Sequence, residues 1–386
     1  MRISPLFSFI PKKFRRQERQ DFLQIDDLIQ KPDYVKVRIA FVDELKEASL
    51  GKTSSLSYLS HTLPEKPLVK TGTVQGIVIG GTNYIVSTQE ISAHGRRTIL
   101  SMQTGELPIL NHKDILISFL KKHIDPRAEA IGVNFGFPLE PLTGPFGEID
   151  GKLARTSKEH TFEGLLNQPI GDILREVVQN DIPVAVANDT VCLTLAGDDT
   201  EDGSLIAGTG FNIGLKLNDG KKGIILNLEA GNFDKFELSE SLKTLDATSK
   251  KPGTQLFEKI ISGKYLAEVF NVKAEKIGLQ IPKLKTSQEL SALSNEIRDD
   301  HANILARGLL ERSAFLVAAA LAGIYTFSGR PKQLTIIGEG SLLWKGWHYT
   351  DNIEKQLKLL GVPRHAIRIK HVKNSSINGA IGLLCQ

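Results

Sequence analysis

The chain contains very little cysteine, methionine and tryptophan, with only two of each among its 386 residues. Two cysteines, Cys192 and Cys385, are too few for a disulfide framework or a cysteine-rich zinc cluster. Such scarcity is typical of a protein kept in a reducing cytosol, so we expect a cytoplasmic location. Aromatic residues make up 6% of the sequence, and only Phe14 interrupts the basic run at 12–19. With a net charge of only +4, this composition gives little support to nucleic-acid binding.

The start of the chain lacks a long apolar run. The apolar stretch at 5–10 has six residues and precedes the positive charges. A signal peptide has the opposite order, and a membrane-spanning helix is about three times longer. We therefore expect no membrane span and interpret residues 1–17 as a surface helix, with a weak membrane or partner contact as the alternative.

Two familiar nucleotide-binding motifs are incomplete. A P-loop needs a glycine five positions before Gly51, where this chain has Lys46. A dinucleotide fingerprint that begins at Gly208 needs its third glycine at position 213, where this chain has Ile213. The sequence therefore predicts neither a P-loop protein nor a Rossmann dehydrogenase.

Periodicity in the remaining sequence predicts alternating strands and helices. The length allows one to three domains, and 41% hydrophobic with 24% charged residues is typical of a globular protein. Predicted helices cover residues 21–50, 112–123, 162–179, 254–270 and 303–327, and another begins at Thr190. Predicted strands cover residues 76–87 and 203–217, each with a central turn, and also 129–136, 182–188 and 334–340. Residues 54–67 are interpreted as a loop or extended connector. This alternation indicates an α/β fold.

Three glycine-containing turns follow apolar strands. They lie at 80–83, 208–210 and 338–341, and the first two belong to hairpins similar enough to suggest a weak internal duplication. Glycine lets the backbone approach a ligand closely, and successive amide N–H groups can bind phosphate oxygens. One such turn is usually a plain hairpin, whereas three in one chain favour a nucleotide site.

A polar sequence, Asn188-Asp189-Thr190, ends the apolar strand at 182–188. Polar groups at this point either cap the next helix or bind a ligand. A carboxylate placed beside a hydroxyl can accept its proton during phosphoryl transfer, and such a base contributes roughly 10²–10⁴ in rate. The residues alone leave both interpretations open.

The whole pattern resembles the hexokinase family of ATP-dependent sugar kinases. The longest similar stretch is 245–270, with Pro-Gly-Thr-Gln-Leu-Phe-Glu-Lys and Ser-Gly-Lys-Tyr-Leu. Shorter similar stretches follow in the family's order at 54–64, 80–83, 135–138, 187–191, 208–212, 226–233, 311–324 and 338–342. The resemblance covers roughly residues 35–386, and the chain is shorter than typical eukaryotic members around 271–300.

This resemblance implies a two-lobed, actin-like ATPase fold with duplicated ribonuclease H-like halves and a cleft between the lobes. We expect an N-terminal helical segment at 1–69 packed on the large lobe. The small lobe would comprise 70–187 with the C-terminal helix 375–386, and the large lobe 188–374. The implied activity is that of a hexokinase or glucokinase. It phosphorylates a hexose, glucose foremost, at the 6-hydroxyl with ATP and Mg²⁺, the first step of glycolysis. A monomer or a homodimer would fit.

The resemblance also implies residue roles. Asp189 would be the general base, and carboxylates and amides would bind the donor and acceptor hydroxyls of the sugar. The implied sugar-binding residues are Thr156, Lys158, Asn188, Asn212, Glu229, Gln255 and Glu258. The implied nucleotide-binding residues are Gly80, Gly81, Thr82, Asn83, Gly208, Thr209, Gly210, Gly338, Gly340 and Ser341. No direct protein ligand for the metal is assigned.

Several positions depart from the family pattern. Val78 stands where an aspartate usually helps to hold the metal–nucleotide, and Ile85 stands where an arginine is usual. Ser157 separates Thr156 from the lysine, and Gly136 and Ala230 replace a serine and a tryptophan. These changes keep a second hypothesis open, that of a degenerate kinase that senses sugar without phosphorylating it. A transcriptional regulator of the related repressor–kinase family is disfavoured, because neither a DNA-binding helix pair nor a cysteine-rich zinc motif is recognisable.

Overall fold

The computed structural model of the protein describes residues 29–154, 160–178, 181–198, 200–218, 223–296 and 300–385. Its helices are α1 (Tyr34–Ser49), α2 (Lys113–His123), α3 (Ile170–Arg175), α4 (Asp189–Thr194), α5 (Glu240–Thr248), α6 (Leu256–Ile261), α7 (Gly263–Lys276), α8 (Ser287–Asn295), α9 (His301–Phe327), α10 (Ser341–Lys345), α11 (Tyr349–Leu359) and α12 (Ser375–Cys385). Its strands are β1 (Leu59–Thr62), β2 (Gly72–Ile79), β3 (Asn83–Ile91), β4 (Arg97–Glu106), β5 (Ala130–Phe135), β6 (Leu139–Thr143), β7 (Ile149–Leu153), β8 (Val184–Ala187), β9 (Gly203–Ala207), β10 (Phe211–Asn218), β11 (Gly223–Asn227), β12 (Leu334–Glu339) and β13 (Ile367–His371).

Two mixed sheets organise these elements. One has the strand order β4-β3-β2-β5-β8, with β5 parallel to both β2 and β8. The other has the order β1-β11-β10-β9-β12-β13, with β12 parallel to both β9 and β13. A small ladder of β6 and β7 accompanies them. The α/β class predicted from the sequence is therefore confirmed.

Each large sheet has its own hydrophobic core. The core around β2, β5 and β8 includes Ile77, Val133 and Val186 with helices α2 and α3. A larger core combines β9–β12 with the nearly all-buried helix α9. Helix α1 joins this larger core through Phe41 and Leu45, and it begins where the Asp33 side chain accepts hydrogen bonds from two backbone N–H groups. The C-terminal helix α12 packs instead on β5, β2 and α4.

Some predicted elements agree closely with the structure. Both glycine-containing hairpins form, as β2–β3 and β9–β10, and α1 ends just before Gly51, whose φ is +70°. The connector at 54–67 contains the short strand β1, which pairs with β11. Residues 1–28, including the predicted surface helix, lie outside the described residues. Within the described part of the chain, every helix is too short or too polar to cross a membrane.

The prediction of one helix over 162–179 is wrong. The backbone N–H groups of residues 162 and 163 donate to the oxygens of residues 110 and 111, and helix occupies only Ile170–Arg175. Phe162 and Asn167 have positive φ angles, which are incompatible with a right-handed helix. Pro169 then sets the start of α3, because proline cannot donate the N–H that a helix interior requires.

The prediction of one helix over 254–270 is also wrong. Two helices, α6 and α7, meet at Ser262, whose backbone is extended with ψ at 152°. The N–H of Gly263 donates to the carbonyl oxygen of Gly208 at 2.7 Å. Because of the break, this hydrogen bond connects the start of α7 to the second glycine turn.

Candidate active site

Asp189 lies at the start of α4, directly after the buried strand β8, and its side chain is exposed. Its Oδ1 accepts hydrogen bonds from the Thr190 N–H at 2.8 Å and from the Thr190 hydroxyl at 3.3 Å. The helix cap is made by its neighbour Asn188, whose Oδ1 accepts from the Val191 N–H at 3.0 Å. Asn188 therefore caps α4, and the Asp189 carboxylate does not serve as the N-cap.

Glu258 is the second carboxylate of the site. It lies in the first turn of α6, and its Oε2 accepts from the Phe211 N–H at 3.1 Å. Burial raises the pKa of Glu258, and the nearby charges of Glu229 and Asp189 raise it further. The Phe211 N–H and the Lys264 ammonium oppose this rise. Three sequence-predicted carboxylates are thus close enough to interact electrostatically.

Asn212 and Asn227 form a hydrogen-bonded amide pair next to this carboxylate cluster. Asn212 donates from Nδ2 to Thr190 Oγ1 at 2.8 Å and to Asn227 Oδ1 at 2.9 Å. Its Oδ1 accepts from the Ile213 and Ala230 N–H groups at 2.8 and 3.0 Å. Because these bonds use both donors and both acceptor sites, Asn212 could contact a sugar only by exchanging one of them. Its geometry is that of a positioning residue.

Asn227 connects the amide pair to Glu229. Its Nδ2 donates to Glu229 Oε1 at 2.9 Å, and its Oδ1 accepts from the Glu229 N–H at 3.2 Å. Asn227 is only 1% exposed, so its side chain is fixed within the core. Sequence reasoning missed this residue, because its contact with Asn212 crosses from β11 to β10.

Two candidate residues have strained backbones. Glu229 and Gln255 have φ angles of 45° and 52°, in the left-handed region that non-glycine residues rarely adopt. Both precede short helical segments, which carry Ala230 and Glu258. Such strain persists only where surrounding contacts impose it, and it is frequent at ligand sites.

The second and third glycine turns lie against each other. Their strands β9 and β12 are parallel neighbours, so both turns leave the same edge of the sheet. A Cβ on Gly208 would come within 3.1 Å of the Gly340 Cα. Gly340 has φ at +123°, and a Cβ there would lie 2.2 Å from the Ala207 oxygen, so this crossing requires glycine. A Cβ on Gly210 would be 3.1 Å from Glu258 Oε2, which places these turns beside the carboxylate cluster.

The first glycine turn closes the β2–β3 hairpin at the end of the other sheet. The Gly80 N–H donates to the Asn83 oxygen at 3.0 Å, while the side chains of Thr82 and Asn83 are exposed. Within the described residues, the N–H groups of Gly81 and Thr82 make no hydrogen bond. These two N–H groups are therefore available to a ligand.

The two main departures from the family pattern are neighbours. Val78 and Ile85 are direct cross-strand partners in the β2–β3 ladder. An acidic and a basic residue are thus replaced together by an apolar pair, which leaves no unpaired charge. Asn134 is the partner of Val78 on β5 and is 3% exposed. Within the described ranges, no group of three or more His, Cys, Asp and Glu side chains could hold a metal ion.

Two predicted sugar-binding residues, Thr156 and Lys158, lie outside the described residues. The other predicted sugar-binding residues lie near the ends of strands or at the starts of helices. Besides Asn227, sequence reasoning missed Gly263 and His160, which contact the second and first glycine turns. Both contacts join residues far apart in the sequence, so no local pattern signals them.

The hexokinase family model matches residues 203–291 and 280–385 of this chain. Hexokinase-5 of Oryza sativa subsp. japonica is 28% identical over 276 residues, which are 60% of this chain and 52% of that protein. Hexokinase-2 of the same organism is 27% identical over 395 residues, covering 80% of this chain and 78% of that protein. The chain therefore spans about half the length of the first of these relatives.

A solved structure of hexokinase from Schistosoma mansoni complexed with glucose has the same fold. Its TM-score is 0.75 at 19% identity, over 95% of this chain and 99% of that chain. This likeness confirms the two-lobed, actin-like kinase fold expected from the sequence.

Proposed function

Since the chain belongs to the hexokinase family, we propose that it transfers the γ-phosphoryl group of ATP to the 6-hydroxyl of a hexose, with glucose as the preferred substrate. The observation that carries this proposal is the cluster of Asp189, Glu229 and Glu258 beside the turn at 208–210. The acidic side chains can accept hydrogen bonds from the hydroxyl groups of a sugar. The neighbouring backbone N–H groups can donate to the phosphate oxygens of ATP. The product would enter glycolysis in the cytoplasm.

Asp189 acts as the general base in this proposal. Its exposed carboxylate accepts the proton of the 6-hydroxyl while the hydroxyl oxygen attacks the γ-phosphorus and ADP leaves. The two bonds from Thr190 hold Oδ1 in a fixed orientation, and the amide network behind Thr190 holds that residue in turn. The base is therefore positioned before substrate arrives.

Glu229 and Glu258 bind ring hydroxyls, as their neighbouring carboxylates favour a ligand rich in O–H donors. The NH₂ group of Asn188 remains for a sugar oxygen, because its Oδ1 caps α4. Two sheets, each with a large core of its own, provide lobes that can close over the sugar. Closure excludes water, which otherwise competes as the phosphoryl acceptor.

The glycine turns bind ATP through backbone amides. The Gly81 and Thr82 N–H groups fit a phosphate, and the turns at 208–210 and 340–341 provide the opposite side. The residues do not fit an all-protein metal cage, because Val78 replaces the usual carboxylate. Mg²⁺ is often held mainly by substrate phosphates and water, so we expect it to arrive with ATP.

The test is ADP release from ATP and Mg²⁺ with a panel of hexoses. We expect turnover with glucose and slower turnover with other hexoses. A complete lack of turnover with every hexose would contradict the proposal.

A degenerate, sugar-sensing kinase is the second candidate, and the apolar pair Val78 and Ile85 favours it. Calorimetry separates the two functions. A sensor would bind hexose but show negligible affinity for Mg–ATP, whereas a kinase binds both.

A further inference from the structure

His160 is a buried histidine that contacts the first glycine turn. It is 4% exposed and lies between two phenylalanines, stacked on Phe162 and edge-on to Phe137, with ring centroids 5.3 and 5.0 Å away. Its Nε2 lies 3.0 Å from the Gly81 oxygen, and its Nδ1 lies 2.8 Å from the Leu110 nitrogen. Both ring nitrogens therefore contact the backbone.

The partners determine which nitrogen carries the proton. The Leu110 N–H can only donate, so Nδ1 accepts and has no hydrogen. The Gly81 carbonyl can only accept, so Nε2 carries the hydrogen and donates. His160 is thus a neutral imidazole that links the turn at 80–83 to the segment that follows β4.

This segment is itself held by backbone hydrogen bonds. The Phe162 and Glu163 N–H groups donate to the Leu110 and Asn111 oxygens at 3.1 and 2.8 Å, so the chain that follows His160 is paired with this segment. The Leu107 N–H also donates to the Thr82 oxygen at 2.8 Å. The position of His160 is therefore set independently of any ligand.

The hydrogen bond from His160 fixes the orientation of one peptide group. In a trans peptide, the carbonyl of one residue and the N–H of the next point in opposite directions. Because the Gly81 carbonyl points at the imidazole, the Thr82 N–H points away from it. That N–H makes no hydrogen bond within the described residues, and Thr82 is exposed.

We propose that His160 is a positioning residue for nucleotide binding, which holds the Gly81–Thr82 peptide so that the Thr82 N–H donates to a phosphate oxygen of ATP. Without this hydrogen bond, a glycine peptide can rotate and turn its carbonyl toward the phosphate. The inference rests on the proposed role of the turn at 80–83 as a nucleotide site, but not on hexose turnover.

Three variants separate the two hydrogen bonds. His160→Phe keeps the aromatic packing and removes both bonds. His160→Asn keeps an acceptor near Nδ1 for the Leu110 N–H but is too short to reach Gly81. His160→Gln places an amide NH₂ near Nε2 and keeps only the donor to Gly81. His61→Phe is the matched control, since His61 is also buried on β1 and has no hydrogen-bond partner within the described residues.

The primary readout is the Kd of AMP-PNP with Mg²⁺ by calorimetry, together with the melting temperature of each variant. We expect the Kd to rise roughly ten- to hundredfold in His160→Phe and His160→Asn, as misplacement of a binding group typically costs. His160→Gln and His61→Phe should bind as the wild type does. If hexose turnover is measurable, KM for ATP should rise in parallel while kcat at saturating ATP changes little.

Equal affinity in all variants would overturn the inference. A loss in His160→Gln as large as that in His160→Asn would do so too, because the effect would then reflect packing alone. Failure of the wild type to bind AMP-PNP would also overturn it. A wild type that binds AMP-PNP but phosphorylates no hexose would contradict only the proposed function, since the variants could still be ranked by Kd.

Discussion

At the scale of single residues, the site combines groups that destabilise the fold with groups that hold them in place. Glu258 is a carboxylate withdrawn from water near two other carboxylates, and its raised pKa reflects mainly burial. A raised pKa in the folded state means that stability is present at low pH and lost as the pH rises through that pKa. Ionised Glu258 therefore lowers the stability of the folded protein at pH 7.

We predict that Glu258→Gln raises the melting temperature at pH 7 while weakening hexose binding about 10- to 100-fold. Glutamine cannot ionise but can still accept from the Phe211 N–H. The stability difference should shrink as the pH falls toward the ordinary range of glutamate, about 4. Thermal unfolding across this pH range and hexose calorimetry measure both effects.

Glu268→Gln is the matched control, since Glu268 is exposed on α7. It should leave the melting temperature and hexose affinity unchanged. A Glu258→Gln variant that is less stable than the wild type at pH 7 would show that the buried charge is stabilising.

The carboxylates of the candidate site could be predicted from the sequence, whereas the residues that support the site could not. Asp189 follows an apolar strand, and Glu258 lies in a long stretch similar to hexokinases, so local sequence signals both. Asn227 and His160 act through contacts across strands or between distant segments. A single sequence contains no record of such pairings.

At the scale of elements, the break between α6 and α7 links the carboxylate cluster to the second glycine turn. Helix α6 carries Glu258, and the first residue of α7, Gly263, donates to the Gly208 oxygen. A continuous helix would direct that N–H at the preceding turn of the helix instead. The apolar pattern continues through the break, which explains why periodicity predicts a single helix.

We predict that Gly263→Ala destabilises the protein by about 1–3 kcal/mol and raises KM for ATP roughly tenfold. A Cβ at this position would lie 2.7 Å from Ser287 Oγ and 2.9 Å from the Gly208 oxygen, so α7 must move away from the second turn. Urea unfolding and ATP kinetics measure the two effects.

Ser287→Ala serves as the control, because it removes the hydroxyl and keeps the hydrogen bond from the Gly263 N–H to the Gly208 oxygen. This variant should have little effect on KM for ATP. The double variant Gly263→Ala/Ser287→Ala should remain impaired, since the contact with Gly208 persists. Recovery of wild-type KM in the double variant would show that the contact with Gly208 is unimportant.

At the scale of the whole molecule, strand periodicity predicts the α/β class but not the assignment of strands to sheets. Strand β1 joins β11 across more than 160 residues, and the C-terminal helix α12 returns to pack on β2 and β5. These pairings depend on long-range burial rather than local preference. The resemblance to a known family supplied the two-lobed arrangement that the pattern alone could not.

The same arrangement explains why the candidate site lies where strands from both sheets end. The carboxyl ends of the parallel strands β2, β5 and β8 precede the first turn, the segment at 136–138 and Asp189. The ends of β9 and β12 precede the other two turns. Ligands bind outside the carboxyl ends of strands in open α/β sheets, so we expect sugar and nucleotide to meet there.

The central claim is that Asp189 is the base for phosphoryl transfer to a hexose, and Asp189→Asn tests it most directly. Asparagine keeps the size of the side chain and an acceptor for the Thr190 N–H but cannot take the hydroxyl proton. We predict that kcat falls roughly 10²- to 10⁴-fold while the calorimetric Kd for glucose stays within about twofold. A variant that retains most of its kcat would contradict the account.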